Sequence, residues 1–215
     1  MKLYSYFRSS ASYRVRVALA LKGLPCEYEA IHLLKDGGQQ HSPAYKELNP
    51  LGIVPTLEDG EHPLTQSLGI VEYLDELHPA PPLLPESAAD RAFVRSVALQ
   101  VACEIHPVNN LGILQYLTKE IGVSDAQKTE WYRHWIASGF HPIEKQLASD
   151  RRVGDFVFGN SPTLADIFLV PQVWNARRFN ISLEAYPTLT RLVDQAMTLD
   201  AFEAAEPARQ PDAEG

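Results

Sequence analysis

Residues 54–78, VPTLEDGEHPLTQSLGIVEYLDELH, decide the fold. VPTLED and HPLTQ are short β-prone runs on either side of Gly60, which reads as two strands joined by a tight turn. SLGIVEYLDELH then carries Leu68, Val71 and Leu74 at helical spacing, with Ser67 as its expected N-cap. The order is strand, strand, helix. Upstream, KLYSYF (2–7) reads as a strand, SYRVRVALALKG (12–23) as a helix closed by Gly23, and CEYEAIHL (26–33) as a second strand. Residues 1–78 therefore form a βαβ unit followed by ββα, an α/β domain. Downstream, Pro79, Pro81, Pro82 and Pro85 interrupt regular structure and mark 79–87 as a linker.

Past the linker the pattern is helical. Residues 88–122 form a long amphipathic run that Pro107 can kink, and residues 124–149 open with a capping box from Ser124 to Gln127. TLADIFLVPQVWNARR (163–178) and YPTLTRLVDQAMTLDAFEAA (186–205) add further helices, so 88–203 reads as an all-α domain and 204–215 as a loose tail. Thr163 and Asp166 make another capping box, which assigns the buried-looking aspartate to folding.

The 215 residues carry a formal charge of −8 and 45% apolar side chains, enough for real cores. An acidic chain lacks the basic face that nucleic acid or an anionic membrane demands. Cys26 and Cys103 have no metal-ligand spacing, which fits a reducing compartment, no structural metal and no disulfide. With no leader-like start and no apolar stretch of spanning length, a cytoplasmic location is expected.

Several residues suggest chemistry. Pro55 at the start of a strand is either an ordinary trans proline or a cis one that turns the Val54 backbone toward an extended ligand. Gln66 and Ser67 begin a helix, where free amides and the dipole favour a carboxylate, or where the serine is simply a cap. In YFRSSASYRVR (6–16), Arg8, Ser9 and Ser10 crowd a strand-to-helix turn with no glycine. Arg14 and Arg16 stand two apart on the following helix and so on different faces, which favours structural roles. Tyr13 is assigned to packing, and His32 and His41 to surface or scaffold.

In this order on this architecture, the motifs resemble the cytosolic glutathione transferases along the whole chain. YFRSSASYRVRVALALKG, KDGGQQHSPAYKELNPLGIVPTL and TQSLGIVEYLDE are similar to the zeta class, whose members include maleylacetoacetate isomerases and bacterial maleylpyruvate isomerases. The resemblance implies a thioredoxin-like N-terminal domain, a helical transferase C-terminal domain, glutathione as cofactor and a homodimer. It also implies residue roles. Val54 beside Pro55 would pair with the cysteinyl main chain of glutathione, Gln66 and Ser67 would hold the γ-glutamyl carboxylate, and Gln40 would lie near the glycyl end. His106 and Asn110, four apart on one expected helix face, are further glutathione candidates; for His106 a kink-forming role before Pro107 stands beside that reading.

The family usually has Ser-Ser-Cys at the turn, whereas Ala11 stands at the cysteine's place here. Isomerising a cis double bond calls for a nucleophile that adds and later leaves. Neither cysteine lies in an electropositive turn, so the sulfur is expected from glutathione, with Ser9, Ser10 and the helix start stabilising its thiolate. The substrate is then a dianionic diketo acid, with maleylpyruvate favoured over maleylacetoacetate, gripped by Arg8 and by Arg178, with Arg177 the alternative to the latter. Conjugation or dehalogenation by the same thiolate, or a non-enzymatic glutathione-binding module, are the competing functions.

Overall fold

Four strands, β1 (Lys2–Ser5), β2 (Glu27–Ala30), β3 (Thr56–Asp59) and β4 (His62–Thr65), form one sheet in the order β2-β1-β3-β4 in a computed structural model that describes residues 1–214. β1 runs parallel to β2 and antiparallel to β3, and β3 is antiparallel to β4. Leu3 stands opposite Tyr28 and Leu57, and Leu57 opposite Leu64, so one apolar row crosses the sheet. α1 (Ser10–Leu21) packs on α3 (Ser67–Leu77), and Val15, Val17, Ile70, Val71 and Leu74 between them are fully buried. Lys22, at the end of α1, ties this pair to the proline-rich segment by donating to Asp75 Oδ1 (2.6 Å), His78 O (2.7 Å) and Pro81 O.

Three local details of residues 1–78 differ from expectation. α1 starts at Ser10 and not Ser12, because Ser9 takes an extended backbone and its Oγ accepts the Ser12 N–H at 3.2 Å, closing the first turn early. Ser67 is not the cap of α3: Gln66 occupies the cap position with φ +67°, and the Ser67 hydroxyl accepts instead from Arg14. A short α2 (Pro43–Leu48) forms in a stretch with no sequence assignment, capped by Ser42, whose Oγ accepts the Tyr45 N–H, and started by Pro43.

The chain divides into two compact units. One is Met1–Leu83 with the segment from Met197 onward; the other is Leu84–Ala196. The boundary thus falls inside the proline-rich segment. The second unit is helical: α4 (Ala88–Leu99), α5 (His106–Asn109), α6 (Leu111–Tyr116), α7 (Asp125–Ser149), α8 (Leu164–Arg178) and α9 (Pro187–Ala196), with π-helical turns at Gln100–Ile105 and Leu117–Ile121. Ile105 lies so close to α7 that a Cβ added at Gly139 would overlap it, which explains a glycine in mid-helix. The Glu144 carboxylate on α7 accepts the Thr188 and Leu189 amides, each at 2.9 Å, and so caps α9. The 88–122 run changes twice: the π-helical turn over Gln100–Ile105 gives way to α5 just before Pro107, where a kink is expected, and the helix ends at the extended Asn110.

The C-terminal segment is bonded and not loose. α10 (Asp200–Ala204) joins the first unit, where Tyr13 Oη donates to Phe202 O (3.1 Å) and Arg16 Nε to Ala205 O (3.0 Å). Beyond it Asp212 accepts the Phe7 amide (3.0 Å) and the Tyr28 hydroxyl (2.6 Å). Among the described residues no helix is long and apolar enough to cross a membrane.

Candidate active site

The turn after β1 carries the densest chemistry of the first unit. Ser9 uses one lone pair to cap α1, which leaves its proton for another acceptor, while Ser10 is the buried first residue of the helix and Ala11 its second. Arg8 lies over the Phe7 ring, 4.8 Å from its centroid, and donates to Tyr6 Oη from Nε (3.2 Å) and Nη2 (2.8 Å). It also pairs with Glu214 at 3.6 Å, whose carboxylate meets His32 (3.1 Å) and Lys35 (2.9 Å) as well. Lys35 first, and then His32, hold the Glu214 carboxyl below its ordinary range. Arg16 is structural: burial lowers its pKa to about 10, and it donates to Ala205 O, Ser5 Oγ and Phe7 O. Burial raises the Tyr13 hydroxyl well above its usual pKa, which leaves it a packing residue.

Val54 packs with Tyr6, Phe7 and Tyr45 in one apolar cluster, and its bond to Pro55 is cis. Tyr45 and Asn49, which sequence reading missed, grip the segment on either side: both donate to Ile53 O at 2.8 Å, and both reach Thr56 Oγ1. The Val54 N–H and C=O themselves meet no protein partner among the described residues. A nearly buried residue with both main-chain groups unused is prepared for a peptide ligand. Gln40 is 5% exposed, packs its amide beneath Gly38 and leaves Oε1 unbonded. A Cβ at Gly38, whose φ is +99°, would sit 2.7 Å from Gln40 Nε2, so the glycine pair in GGQQ makes room for that side chain.

Gln66 is exposed, holds a left-handed φ rare for a non-glycine residue and directly precedes Ser67. Arg14, 2% exposed, donates from Nη1 to Ser67 Oγ at 3.1 Å across 53 residues of chain. In the first unit Arg8 and Val54 meet the same apolar cluster, Arg14 links α1 to Ser67, and Gln40 reaches Leu33 of the cluster rim.

In the second unit His106 is the first residue of α5, but Asn110 is not on its face: it is extended and caps α6, its Oδ1 accepting the Ile113 amide at 3.0 Å. The four-residue spacing fails because the helix ends between them. Asn109 is the buried one, at 7% exposure, with neither amide atom bonded. Arg177 pairs with Asp194 at 2.7 Å, and the Arg178 guanidinium lies near the Phe179 and Trp174 rings, 5.0 and 5.8 Å from their centroids. Asp166 accepts from Val157 N (2.9 Å), Thr163 N (2.8 Å) and Thr163 Oγ1 (2.8 Å), and burial pushes its pKa up to about 6 in spite of those bonds.

Residues 3–82 match the family model described as "Glutathione S-transferase, N-terminal domain", and residues 130–195 match "Glutathione S-transferase, C-terminal domain". The chain belongs to the glutathione S-transferase family. This transferase is 50% identical over 211 residues to the probable maleylacetoacetate isomerase of Vibrio cholerae, covering 98% of this chain and 97% of that protein. A solved holo structure of maleyl pyruvate isomerase, described as a bacterial zeta-class glutathione-S-transferase, is 47% identical and superposes with TM-score 0.96 over 100% of both chains. A solved maleylacetoacetate isomerase from Anaeromyxobacter dehalogenans 2CP-1, 43% identical with TM-score 0.87 over 100% of this chain and 97% of the other, holds dicarboxyethyl glutathione and citrate in its active site. The zeta class is therefore the place of this transferase within its family.

Proposed function

We propose that the transferase isomerises a maleyl diketo acid to its fumaryl form with glutathione as cofactor. Maleylpyruvate is the favoured substrate and maleylacetoacetate the next. The observation that carries the reading is the turn after β1: Ser9 has a hydroxyl proton to give, and the following Ala11 offers no thiol. The residues present fit glutathione. Val54 offers an unused N–H and C=O for a peptide main chain, and Ser67 at the start of α3 has a hydroxyl and first-turn amides for a carboxylate. Gln40 has an unbonded buried acceptor for a peptide donor.

When bound, glutathione supplies the sulfur nucleophile that adds to the double bond and leaves after rotation about the single bond so formed. Ser9 donates its proton toward the anionic sulfur, assisted by the N-terminus of α1. Arg8 carries a substrate carboxylate, and Arg178, with Arg177 the alternative, is the second unit's candidate for a carboxylate. A homodimer and a cytoplasmic location complete the proposal.

The test is to mix purified protein with each diketo acid, with and without glutathione, and follow loss of the cis isomer. The expected result is fumaryl product only when glutathione is present, with the thiol unconsumed. Stoichiometric loss of thiol would mark a conjugating transferase, and isomerisation indifferent to glutathione would refute the mechanism.

A further inference from the structure

We infer that Arg14 is a positioning residue for glutathione, fixing the Ser67 hydroxyl as a donor to the γ-glutamyl carboxylate; the inference rests on the proposed glutathione site. A serine oxygen has one proton and two lone pairs, and a guanidinium can only donate. The bond from Arg14 Nη1 to Ser67 Oγ, at 3.1 Å, therefore occupies the oxygen as acceptor and leaves its O–H to be given elsewhere. Ser67 is 7% exposed, and no other group among the described residues accepts that proton. Gln66, the cap residue, supplies no side-chain bond to the helix, so the first amides of α3 point the same way in polarity: all donate.

A site made only of donors, backed by a buried cation one bond behind, selects an anionic acceptor over a neutral or cationic one. Without Arg14 the Ser67 hydroxyl can turn its lone pair outward, and a carboxylate then meets a mixture of donor and acceptor. Arg16, two residues on, cannot substitute, because its guanidinium is spent on backbone carbonyls and Ser5.

The experiment is calorimetric titration of the full-length protein and of Arg14→Met, Arg14→Lys, Ser67→Ala and the Arg14→Met/Ser67→Ala pair. The ligands are glutathione and 4-aminobutyryl-cysteinylglycine, which lacks only the γ-glutamyl carboxylate. Arg14→Met should weaken glutathione at least tenfold and the analogue less than twofold. Arg14→Lys, which still only donates, should recover part of the loss, and the double variant should be no more than about twofold worse than the poorer single one. Equal loss for both ligands, or additive losses in the pair, would overturn the positioning role. Should Arg14→Met fail to fold, Arg14→Lys paired with Ser67→Ala gives the same cycle. Failure of the unaltered protein to bind glutathione would overturn the glutathione site itself and this inference with it.

Discussion

Replacing Asp166 by asparagine should destabilise the protein more at pH 4 than at pH 7. The carboxylate serves three buried donors with two oxygens: Oδ1 takes the Val157 amide, and Oδ2 takes the Thr163 amide and hydroxyl. Asparagine has one oxygen, so keeping the pair at Thr163 turns an NH₂ toward Val157 N–H. One buried amide is then stranded, at a cost of about 1–3 kcal/mol. Against this stands the cost of the charge. Burial moves the carboxyl from 3.8 to about 6, so ionising it in the folded state costs about 3 kcal/mol more than in the unfolded chain. Because the folded-state pKa is the higher, folded protein binds the proton more tightly. This group's contribution is full below pH 3.8 and is lost as pH rises through 6.

The asparagine of the variant does not titrate, so the difference in unfolding free energy between parent and variant should shrink by about 2 kcal/mol from pH 4 to pH 7. Urea denaturation at closely spaced pH values measures it, since carboxylates common to both proteins cancel. A difference flat with pH would refute the buried, perturbed carboxyl. A perturbed buried acid is often a catalytic candidate, and the same variant separates the readings: kcat of the folded fraction should be unchanged, and a hundredfold loss at unchanged fold would move Asp166 into the chemistry.

Four further outcomes follow from the site. Ser9→Ala should raise the apparent pKa of bound thiol in an ultraviolet thiolate titration and, by removing the α1 cap, lower stability by about 1 kcal/mol; an unchanged titration would shift the role to Ser10 or the helix start. Arg8→Leu and Arg178→Leu should each raise KM for the dianion about tenfold or more while changing the glutathione Kd little, and equal loss for both ligands would remove that arginine's carboxylate role. Gln66→Gly should be neutral or stabilising by up to about 1 kcal/mol, since glycine accepts the φ of +67° without penalty, yet should weaken glutathione in calorimetry. Glu214→Gln should lower KM for the dianion by no more than about fivefold at constant kcat, because that exposed carboxylate competes for Arg8; a raised KM would make the tail a helper.

What the sequence makes legible is what a few neighbouring residues decide. The turn at Gly60, with φ of +78°, and the Ser124–Gln127 box, whose backbone bonds measure 2.9 and 3.3 Å, are settled within four residues. The same local reasoning misplaced the cap of α3 and put Asn110 on the face of His106. Each error came from a backbone state, a left-handed Gln66 and an extended Asn110, that no periodicity announces. Asp212 and Glu214, read as a loose end, close on residues some two hundred positions earlier.

Arg14 and Arg16 make the point most sharply. Spacing alone gives both arginines structural roles on different faces of α1, and both are buried. What separates them is the acceptor each one meets. Arg16 finds carbonyls just past the end of β1, that of Ala205 and the fully buried hydroxyl of Ser5, whereas Arg14 finds the hydroxyl of Ser67 at the start of α3, which still has a proton to give. A buried guanidinium on a carbonyl ends a chain of hydrogen bonds; on a hydroxyl it transmits one. Since that hydroxyl lies 53 residues away on another helix, the distinction is a property of the packed unit and of no window in the sequence.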